Sequence, residues 1–306
     1  MTMGTVHKLD TGRQGITPAA AADAFLATLS AANTKRTYGL VLGAFAERFS
    51  EAQDVAGIGA DELAEWFTGR WGDKSPARWN ACRSALRSAY GYWLEQEWVT
   101  SDATRRLRRR EVPVDRDRAL TRGQVEDLLR RKGVALREKT LWTLLYESAA
   151  RSAEVLGLDV GDLDLANRCA RVVRKGGDAD LITWQSRTAT LLPRLLKGRK
   201  TGPVFLTDRR VRSDVARSLA DIDADTGRGR LTYVTAEELF KAATGGKTLH
   251  QLRHSALSHL AETGANTSMM MAISGHTSVR SLARYAKVSR EALLKYRAET
   301  DPARKR

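Results

Sequence analysis

The sequence contains little cysteine and no long apolar run, and both shortages exclude classes of protein. Its two cysteines, Cys82 and Cys169, lie far apart and form neither a disulfide framework nor a CxxC metal pattern. No stretch approaches the ~20 apolar residues of a membrane-spanning helix, and the first residues lack the continuous apolar segment of a signal peptide. We therefore expect a cytoplasmic protein with no membrane partner.

Histidine is also scarce, and three of the five histidines lie in the stretch LHQLRHSALSHL, residues 249–260. His250 and His254 are four positions apart, the spacing of two zinc ligands on one helix face. However, Gln251 stands where a zinc protease has its general-base glutamate, and the Arg253 cation would repel a metal ion. His250 and Arg253 can instead donate hydrogen bonds to one phosphate. We predict a phosphate site, with no metal and no cofactor.

Basic residues outnumber acidic ones beyond the first third of the chain. The whole sequence has 51 Lys and Arg against 36 Asp and Glu, a net charge of +15. Residues 1–100 are nearly neutral, with 10 basic and 11 acidic residues, so that residues 101–306 carry 41 against 25. A basic surface could serve solubility alone, but a pI near 10.1 is more typical of a polyanion-binding protein.

The first part of the chain predicts a small helical domain. Residues 1–17 have the pattern of a disordered tail, and residues 18–100 show four stretches of helical apolar periodicity. Asn33 or Thr34 can cap the second helix, and Ser75, followed by proline, can cap the fourth. The many aromatic residues lie on the apolar faces, so we expect them in the core. Stacking on nucleic-acid bases is the alternative.

A basic segment follows, from residue 101 to residue 117. It lacks apolar periodicity over 109–118 and contains six arginines: Arg105, Arg106, Arg108, Arg109, Arg110 and Arg116. The simple interpretation is a solvated linker. The interpretation that we favour is a basic strap along a nucleic-acid backbone, where each neutralised phosphate releases counterions.

The remainder, residues 118–306, predicts a second domain that is mainly α-helical with one small β-sheet. Thr121 can cap its first helix, and RCARVVR and DLITWQ read as two strands joined by a KGGD turn. GPVFLTD is a candidate for a further strand. Residues 208–232 have no predicted role, and a last helix is expected near residues 289–298.

Six polar residues of this second domain suit phosphate chemistry: Arg151, Lys175, His250, Arg253, His276 and Tyr285. Each is a weak signal alone, but their order and gaps resemble the tyrosine recombinase (phage integrase) family. SAARSAEVLGLDVGDLDL resembles the first arginine box of that family, and VVRKGGDADLITW resembles the hairpin that carries a catalytic lysine. TLHQLRHSALSHLAETGAN resembles the His-x-x-Arg-His box, and ISGHTSVRSLARYAKV resembles the last box. The resemblance covers roughly residues 18–298.

The resemblance implies a two-domain protein that closes as a C-shaped clamp on double-stranded DNA. Residues 18–100 would form a SAM-like helical core-binding domain, and residues 118–306 the catalytic domain. The expected assembly is a homo-tetramer on paired recombination sites, associated with the nucleoid. Accessory DNA-bending proteins are further candidate partners. In the last helix, Leu293, Leu294 and Tyr296 could dock on a neighbouring subunit, or could pack within their own chain.

The resemblance also assigns the central roles of a metal-independent transesterification. Tyr285 would attack a DNA phosphodiester and form a 3′-phosphotyrosyl link, releasing a 5′-hydroxyl without loss of bond energy. Arg151 and Arg253 would bracket the nonbridging oxygens and stabilise the charge that develops there.

The other polar residues would move protons or support the site. His250 would serve proton transfer involving Tyr285, Lys175 would protonate the departing 5′-oxygen, and His276 would donate to a nonbridging oxygen. His254 is expected to have a structural role.

Two positions depart from the family pattern. Ser148-Ala149-Ala150 replaces the usual Thr-Gly-Leu before the first arginine, and Ser274 replaces the leucine before Gly-His. Both affect packing beside the site rather than its functional groups. Two other functions stay open, a catalytically silent DNA-binding protein and a relaxing enzyme like a type IB topoisomerase. The sequence does not distinguish integration or excision from the resolution of dimers.

Overall fold

The computed structural model describes residues 15–52, 54–113, 119–174, 177, 179–212, 218–282, 285, 290–301 and 303. The chain divides into two compact units, Met1–Val114 and Asp115–Arg306, and each has its own hydrophobic core. The predicted fold class is confirmed, because both units are built mainly of helices and the strands form small sheets in the second.

The first unit is built from the helices α1 (Pro18–Ala27), α2 (Ala32–Arg48), α3 (Ala60–Trp71) and α4 (Pro76–Glu95). Ser75 caps α4 as predicted, since its side chain accepts a hydrogen bond from the backbone N–H of Arg78 at 3.3 Å. Helix α2 begins before both predicted caps. Its N-cap residue is Ala31, which supplies no side-chain hydrogen bond.

The core of this unit is rich in aromatic rings. Phe45, Phe67 and Trp93 are fully buried, which confirms that these side chains serve packing. The Trp93 indole donates a hydrogen bond to the Ala21 carbonyl at 2.9 Å, joining α4 to α1 across 72 positions of the sequence. Buried rings of this kind contribute large apolar areas and need a partner for any polar atom.

Part of the predicted basic linker packs against the first unit. Residues 103–106 form a 3-10 turn, and Leu107 is buried in the core. Beyond it, the Trp79 indole donates to the Arg108 carbonyl at 2.9 Å, and the Arg110 guanidinium lies 3.7 Å from the centre of the Trp79 ring. The segment is therefore held through residue 110, because Leu107 and the polar atoms of α4 give it partners. Residues 114–117 lie outside the described part.

The second unit begins with α5 (Arg122–Arg130), α6 (Leu136–Ser148) and α7 (Ser152–Gly157), followed by the strands β1 (Leu163–Asp164), β2 (Cys169–Val173) and β3 (Ala179–Thr183). Helix α8 (Ser186–Leu196) precedes β4 (Leu206–Arg210) and β5 (Arg228–Arg230). The chain continues through α9 (Tyr233–Thr244), α10 (Leu249–Glu262), α11 (Thr267–Ser274), α12 (Val279–Leu282) and α13 (Arg290–Thr300). Thr121 caps α5 in a capping box with Gln124, which confirms the predicted start.

The predicted hairpin is confirmed, and the β-structure extends beyond it. Strands β2 and β3 pair antiparallel, with Val173 opposite Ala179, and β1 adds a third strand at the other edge of β2. A second sheet pairs β4 with β5, and β5 lies within residues 208–232, for which the sequence predicted no role. Helix α8 was not predicted, although Leu192 and Leu196 on one of its faces are buried.

The core of the second unit positions the helices that carry the polar motifs. Helix α6 contacts α10, α8, α5 and α9, and Trp142 of α6 meets Phe240 of α9 at a ring-centroid distance of 5.3 Å. A smaller apolar cluster joins Ala149, Leu257, Met270 and neighbouring side chains at one end of α10. Among the described residues, no helix is long and apolar enough to cross a membrane.

The buried indole of Trp93 gives a test of the first core. We expect Trp93→Phe to lower the free energy of unfolding by about 1–3 kcal/mol, because the Ala21 carbonyl loses its donor in a dry environment. Trp98→Phe is the matched control, since Trp98 is only partly buried. Chemical denaturation followed by circular dichroism measures both. Equal stability of the two variants would contradict the proposed importance of this hydrogen bond.

Candidate active site

The turn between α6 and α7 places Arg151. Helix α6 ends at Ser148, and Ala149 then adopts a left-handed backbone conformation with φ of 51°. Ala149 and Ala150 are almost completely buried, and Arg151 is the N-cap residue of α7. The small side chains allow α10 to approach so closely that the Ala149 carbonyl becomes a hydrogen-bond acceptor for a side chain of that helix.

The Arg151 side chain is held by its own helix. Its Nη1 atom donates to Oε1 of Glu154 at 2.7 Å, while the other Glu154 oxygen accepts the Arg151 backbone N–H at 2.8 Å. Its Nη2 atom makes a longer contact of 3.4 Å with the Gly275 carbonyl. These hydrogen bonds fix the direction of the guanidinium. Since the side chain is 38% exposed, a ligand can still reach it.

Helix α10 carries His250 and Arg253, and its first turn explains Gln251. The Gln251 Oε1 atom accepts the backbone N–H of Thr248 at 2.7 Å, and Thr248 in turn caps the helix in a capping box. Gln251 therefore serves the start of the helix. Among the described residues, no group of three or more His, Cys, Asp and Glu side chains could hold a metal ion.

The Arg253 side chain lies almost entirely inside the protein. It is 3% exposed, and it donates to the Ala149 carbonyl at 2.6 Å and to the Ser274 carbonyl at 2.8 Å. Burial, with a smaller contribution from the nearby positive charge of Arg151, lowers the pKa of Arg253 to about 10. The guanidinium stays charged at pH 7, in a place where positive charge is unfavourable until an anion arrives.

Ser274 links Arg253 to His276. Its hydroxyl donates to the Met270 carbonyl at 2.6 Å, and the same oxygen lies 2.7 Å from the Nδ1 atom of His276. The Arg253 Nη2 atom is 3.5 Å from the same Nδ1 atom. Ser274 itself is fully buried. These contacts fix the position of the His276 ring beside Arg253.

Four rings follow one another across the site. The ring centroids of His250 and His254 are 4.6 Å apart, those of His254 and Tyr285 5.1 Å, and those of Tyr285 and His276 5.9 Å. His250 is exposed, whereas His254 is buried. His254, for which the sequence predicted a structural role, therefore lies directly against the predicted nucleophile.

Tyr285 is 5% exposed and belongs to the small apolar cluster around Leu257 and Leu282. Its phenol is near enough to Arg253 for a negative charge on it to oppose the fall in the Arg253 pKa.

The structure thus brings five of the six predicted residues to one region of the second unit: Arg151, His250, Arg253, His276 and Tyr285. The sixth, Lys175, lies outside the described residues. The arginines at the centre exceed the acidic groups that pair with them, because Glu154 is bound to Arg151 and Arg253 donates to carbonyls. Such an arrangement of fixed donors and positive charge suits an anion with several oxygens.

Residues 118–292 match the phage integrase family, which is more than half of the chain. The chain belongs to the phage integrase family. This confirms the resemblance predicted from the four motifs and identifies the protein as a site-specific recombinase enzyme of the tyrosine type.

Curated relatives carry related names over most of their length. The chain is 27% identical to the tyrosine recombinase XerD of Mycobacterium leprae, over 90% of this chain and 93% of the relative. It is 26% identical to the tyrosine recombinase XerC of Pelobacter propionicus, over 72% of this chain and 71% of the relative.

Solved structures share the fold at lower sequence identity. The Tn1549 transposon integrase in complex with circular intermediate DNA has a TM-score of 0.68 and 17% identity, with 92% of this chain and 99% of that chain covered. A lambda integrase dimer bound to a core site also has a TM-score of 0.68 and 17% identity, over 93% of this chain and 82% of that chain. At these identities, the likeness concerns the fold alone.

Sequence reasoning missed the roles of Ser274 and His254. Ser274 departs from the family motif, and that departure was the available signal, although it was interpreted as a change in packing. The position of His254 had a weaker signal, since it lies one turn after His250. Its contact with Tyr285 depends on how the end of the chain packs on α10.

Arg253 gives a stability test that does not require activity. We expect Arg253→Gln to lower the free energy of unfolding by about 2 kcal/mol or more, because two buried carbonyls lose their charged donor. Arg130→Gln is the control, because the Arg130 side chain is 76% exposed in a surface ion pair. Calorimetric melting of both variants decides the matter. A melting temperature of Arg253→Gln equal to that of Arg130→Gln would contradict the expected bracing role.

Ser274 gives a test of how His276 is held. We expect Ser274→Ala to slow DNA strand cleavage by about two- to tenfold, because loss of one hydrogen bond frees the imidazole to rotate. Ser274→Thr keeps the hydroxyl and should restore most of the rate. Single-turnover cleavage assays measure the effect. If the alanine variant cleaves as fast as wild type, the hydrogen bond has no positioning role.

Proposed function

We propose that the protein cuts and rejoins duplex DNA at specific sites through a covalent link between Tyr285 and a 3′-phosphate. The observation that carries this proposal is the convergence of Tyr285 with Arg151, Arg253 and His276, which come from separate elements of the second unit. Family membership supports the same chemistry, and it establishes the broader function of site-specific DNA recombination.

In the proposed reaction, the Tyr285 oxygen attacks the phosphorus and the bond to the 5′-oxygen breaks. The phosphate is transferred without hydrolysis, so that the free 5′-hydroxyl of another strand can later attack the phosphotyrosine and release the enzyme. Arg151 offers an exposed guanidinium to the nonbridging oxygens. The charge of Arg253 supports the same oxygens from inside the protein, in surroundings that strengthen electrostatic interactions.

Proton transfers complete the step. We assign removal of the tyrosine proton to the histidines of α10, with His250 as the predicted partner and His254 between it and the Tyr285 ring. His276 would donate to a nonbridging oxygen. Protonation of the departing 5′-oxygen is assigned to Lys175, on the basis of the family resemblance.

Double-stranded DNA is the proposed substrate and partner. The surplus of basic residues after position 100 supports this, and the related integrase structures were solved as complexes with DNA. We propose a homo-tetramer on two paired sites. Helix α13 could make the contact between subunits, since Leu294 and Tyr296 are 57% and 59% exposed, whereas the Leu293 side chain lies outside the described residues. Accessory DNA-bending proteins and association with the nucleoid belong to the same proposal.

Two alternatives have distinct signatures. A catalytically silent DNA-binding protein would bind its site without forming a covalent adduct. A relaxing enzyme like a type IB topoisomerase would form the adduct as a monomer and remove supercoils without pairing two sites. Integration, excision and the resolution of dimers are all outcomes of recombination, and they differ in how the two recombination sites are arranged on the DNA.

A covalent trap tests the catalytic proposal. Duplexes that the protein binds are first recovered from a pool of genomic fragments. A nick is then placed close to the cleavage position, so that the short released fragment, which carries the free 5′-hydroxyl, diffuses away. We expect wild type to accumulate a protein–DNA adduct on denaturing gels and Tyr285→Phe to form none. An adduct with the phenylalanine variant, or none with wild type, would refute the assignment.

A further inference from the structure

Arg174, which directly follows β2, reaches the centre of the site. Its guanidinium lies against Gly275, between Ser274 and His276, and occupies the space that a Cβ atom at position 275 would need. The Gly275 carbonyl also faces Arg151. The β2–β3 hairpin thus places a third arginine against the segment that carries His276.

The Arg174 guanidinium has one ion-pair partner but unused hydrogen-bond donors. Its side chain is 9% exposed, and none of its three nitrogens has a hydrogen-bond partner among the described residues. Asp180 of β3 forms an ion pair with Nε, although without hydrogen-bond geometry, and its own side chain is 43% exposed. A buried guanidinium with unused donors is costly, and a ligand is one of the explanations that remove this cost.

Three arginines therefore share one neighbourhood. Arg151 and Arg174 each lower the pKa of Arg253 by their positive charge, beyond the larger effect of its burial. Among the described residues, the carboxylates that pair with them are Glu154, bound to Arg151, and Asp180, which is 43% exposed. Positive charge therefore remains uncompensated at the turn around Gly275, next to the backbone contacts of Arg151 and Arg253. An anion at this turn would contact donors from three directions.

We propose that Arg174 binds the scissile phosphate, as a third guanidinium beside Arg151 and Arg253. This inference rests on the proposed function, since it assigns another residue to the same phosphate. The competing interpretation is that Arg174 only stabilises the hairpin through its ion pair with Asp180, which we call the clasp. The two interpretations differ in one respect. If Arg174 binds the phosphate, its contribution to DNA binding depends on the charge of that one phosphate, whereas a purely structural role does not.

The test measures DNA binding in a Tyr285→Phe background, so that no strand is cut. The recovered target duplex is prepared with a normal phosphate or an uncharged methylphosphonate at the cleavage position. We expect Arg174→Ala to weaken binding of the normal duplex five- to tenfold, and of the methylphosphonate duplex less than twofold. Such a difference is a coupling between the arginine and that single charge. Arg174→Lys, which keeps the charge but not the planar fork, should fall between wild type and alanine.

Asp180→Ala is the matched control, because it removes the ion pair and keeps Arg174. We expect this variant still to bind the normal duplex more tightly than the methylphosphonate duplex. Equal weakening on both duplexes by Arg174→Ala, matched by Asp180→Ala, would overturn the proposal in favour of the clasp. Melting curves of each variant verify folding, and Arg174→Lys replaces the alanine variant if the latter unfolds. The covalent trap separates the two proposals. Adduct formation by wild type without charge coupling rejects only the role of Arg174, while absence of the adduct rejects the proposed function itself.

Discussion

The buried guanidinium of Arg253 is the interaction on which the rest of the candidate site depends. It donates to the carbonyl of Ala149, 104 positions earlier, and to the carbonyl of Ser274, 21 positions later. These two hydrogen bonds tie the turn that presents Arg151 and the turn that presents His276 to α10. A neutral side chain of similar length would offer fewer donors at these distances, and the two turns would no longer be connected through one side chain.

This construction keeps several positive charges close together in a DNA-free protein. The acidic partners are few, and the strongest of them, Glu154, is used by the arginine that it orients. Burial and the nearby positive charges leave Arg253 with a lowered pKa. In the proposed reaction, a phosphodiester would bring negative charge to these arginines. Binding and the stabilisation of the transition state therefore draw on the same preorganised donors.

The proposed nucleophile, Tyr285, is placed by apolar packing. Tyr285 lies in an apolar cluster with side chains of α10 and α12, and two histidine rings flank its own ring. Apolar packing thus holds the phenol next to the arginines and covers most of the surface of the residue. Exchange between this packed position and an accessible one would couple catalysis to the binding of DNA. Ser274 contributes to the polar side of the same arrangement by orienting His276.

Much of the local structure could be predicted because its causes are local. Ser75 and Thr121 cap helices with atoms three residues away, and the hairpin of β2 and β3 follows from two short strands around a glycine turn. Helix α8 and the β4–β5 pair were harder to predict. Pro193 lies inside α8, and the β4–β5 pairing joins residues more than fifteen positions apart through an irregular ladder. Tertiary contacts supply their stability.

The sequence by itself determined the chemical inventory, because the identity and order of the polar residues can be read without coordinates. Only the tertiary structure decided how each one is used. Arg151 keeps an exposed side chain, Arg253 donates to carbonyls inside the protein, and His254 lies against Tyr285. Arg174 reaches Gly275, about a hundred positions later, through the packing of a hairpin on a helix end. The physical reason is that donors and acceptors so far apart in sequence meet only through the fold.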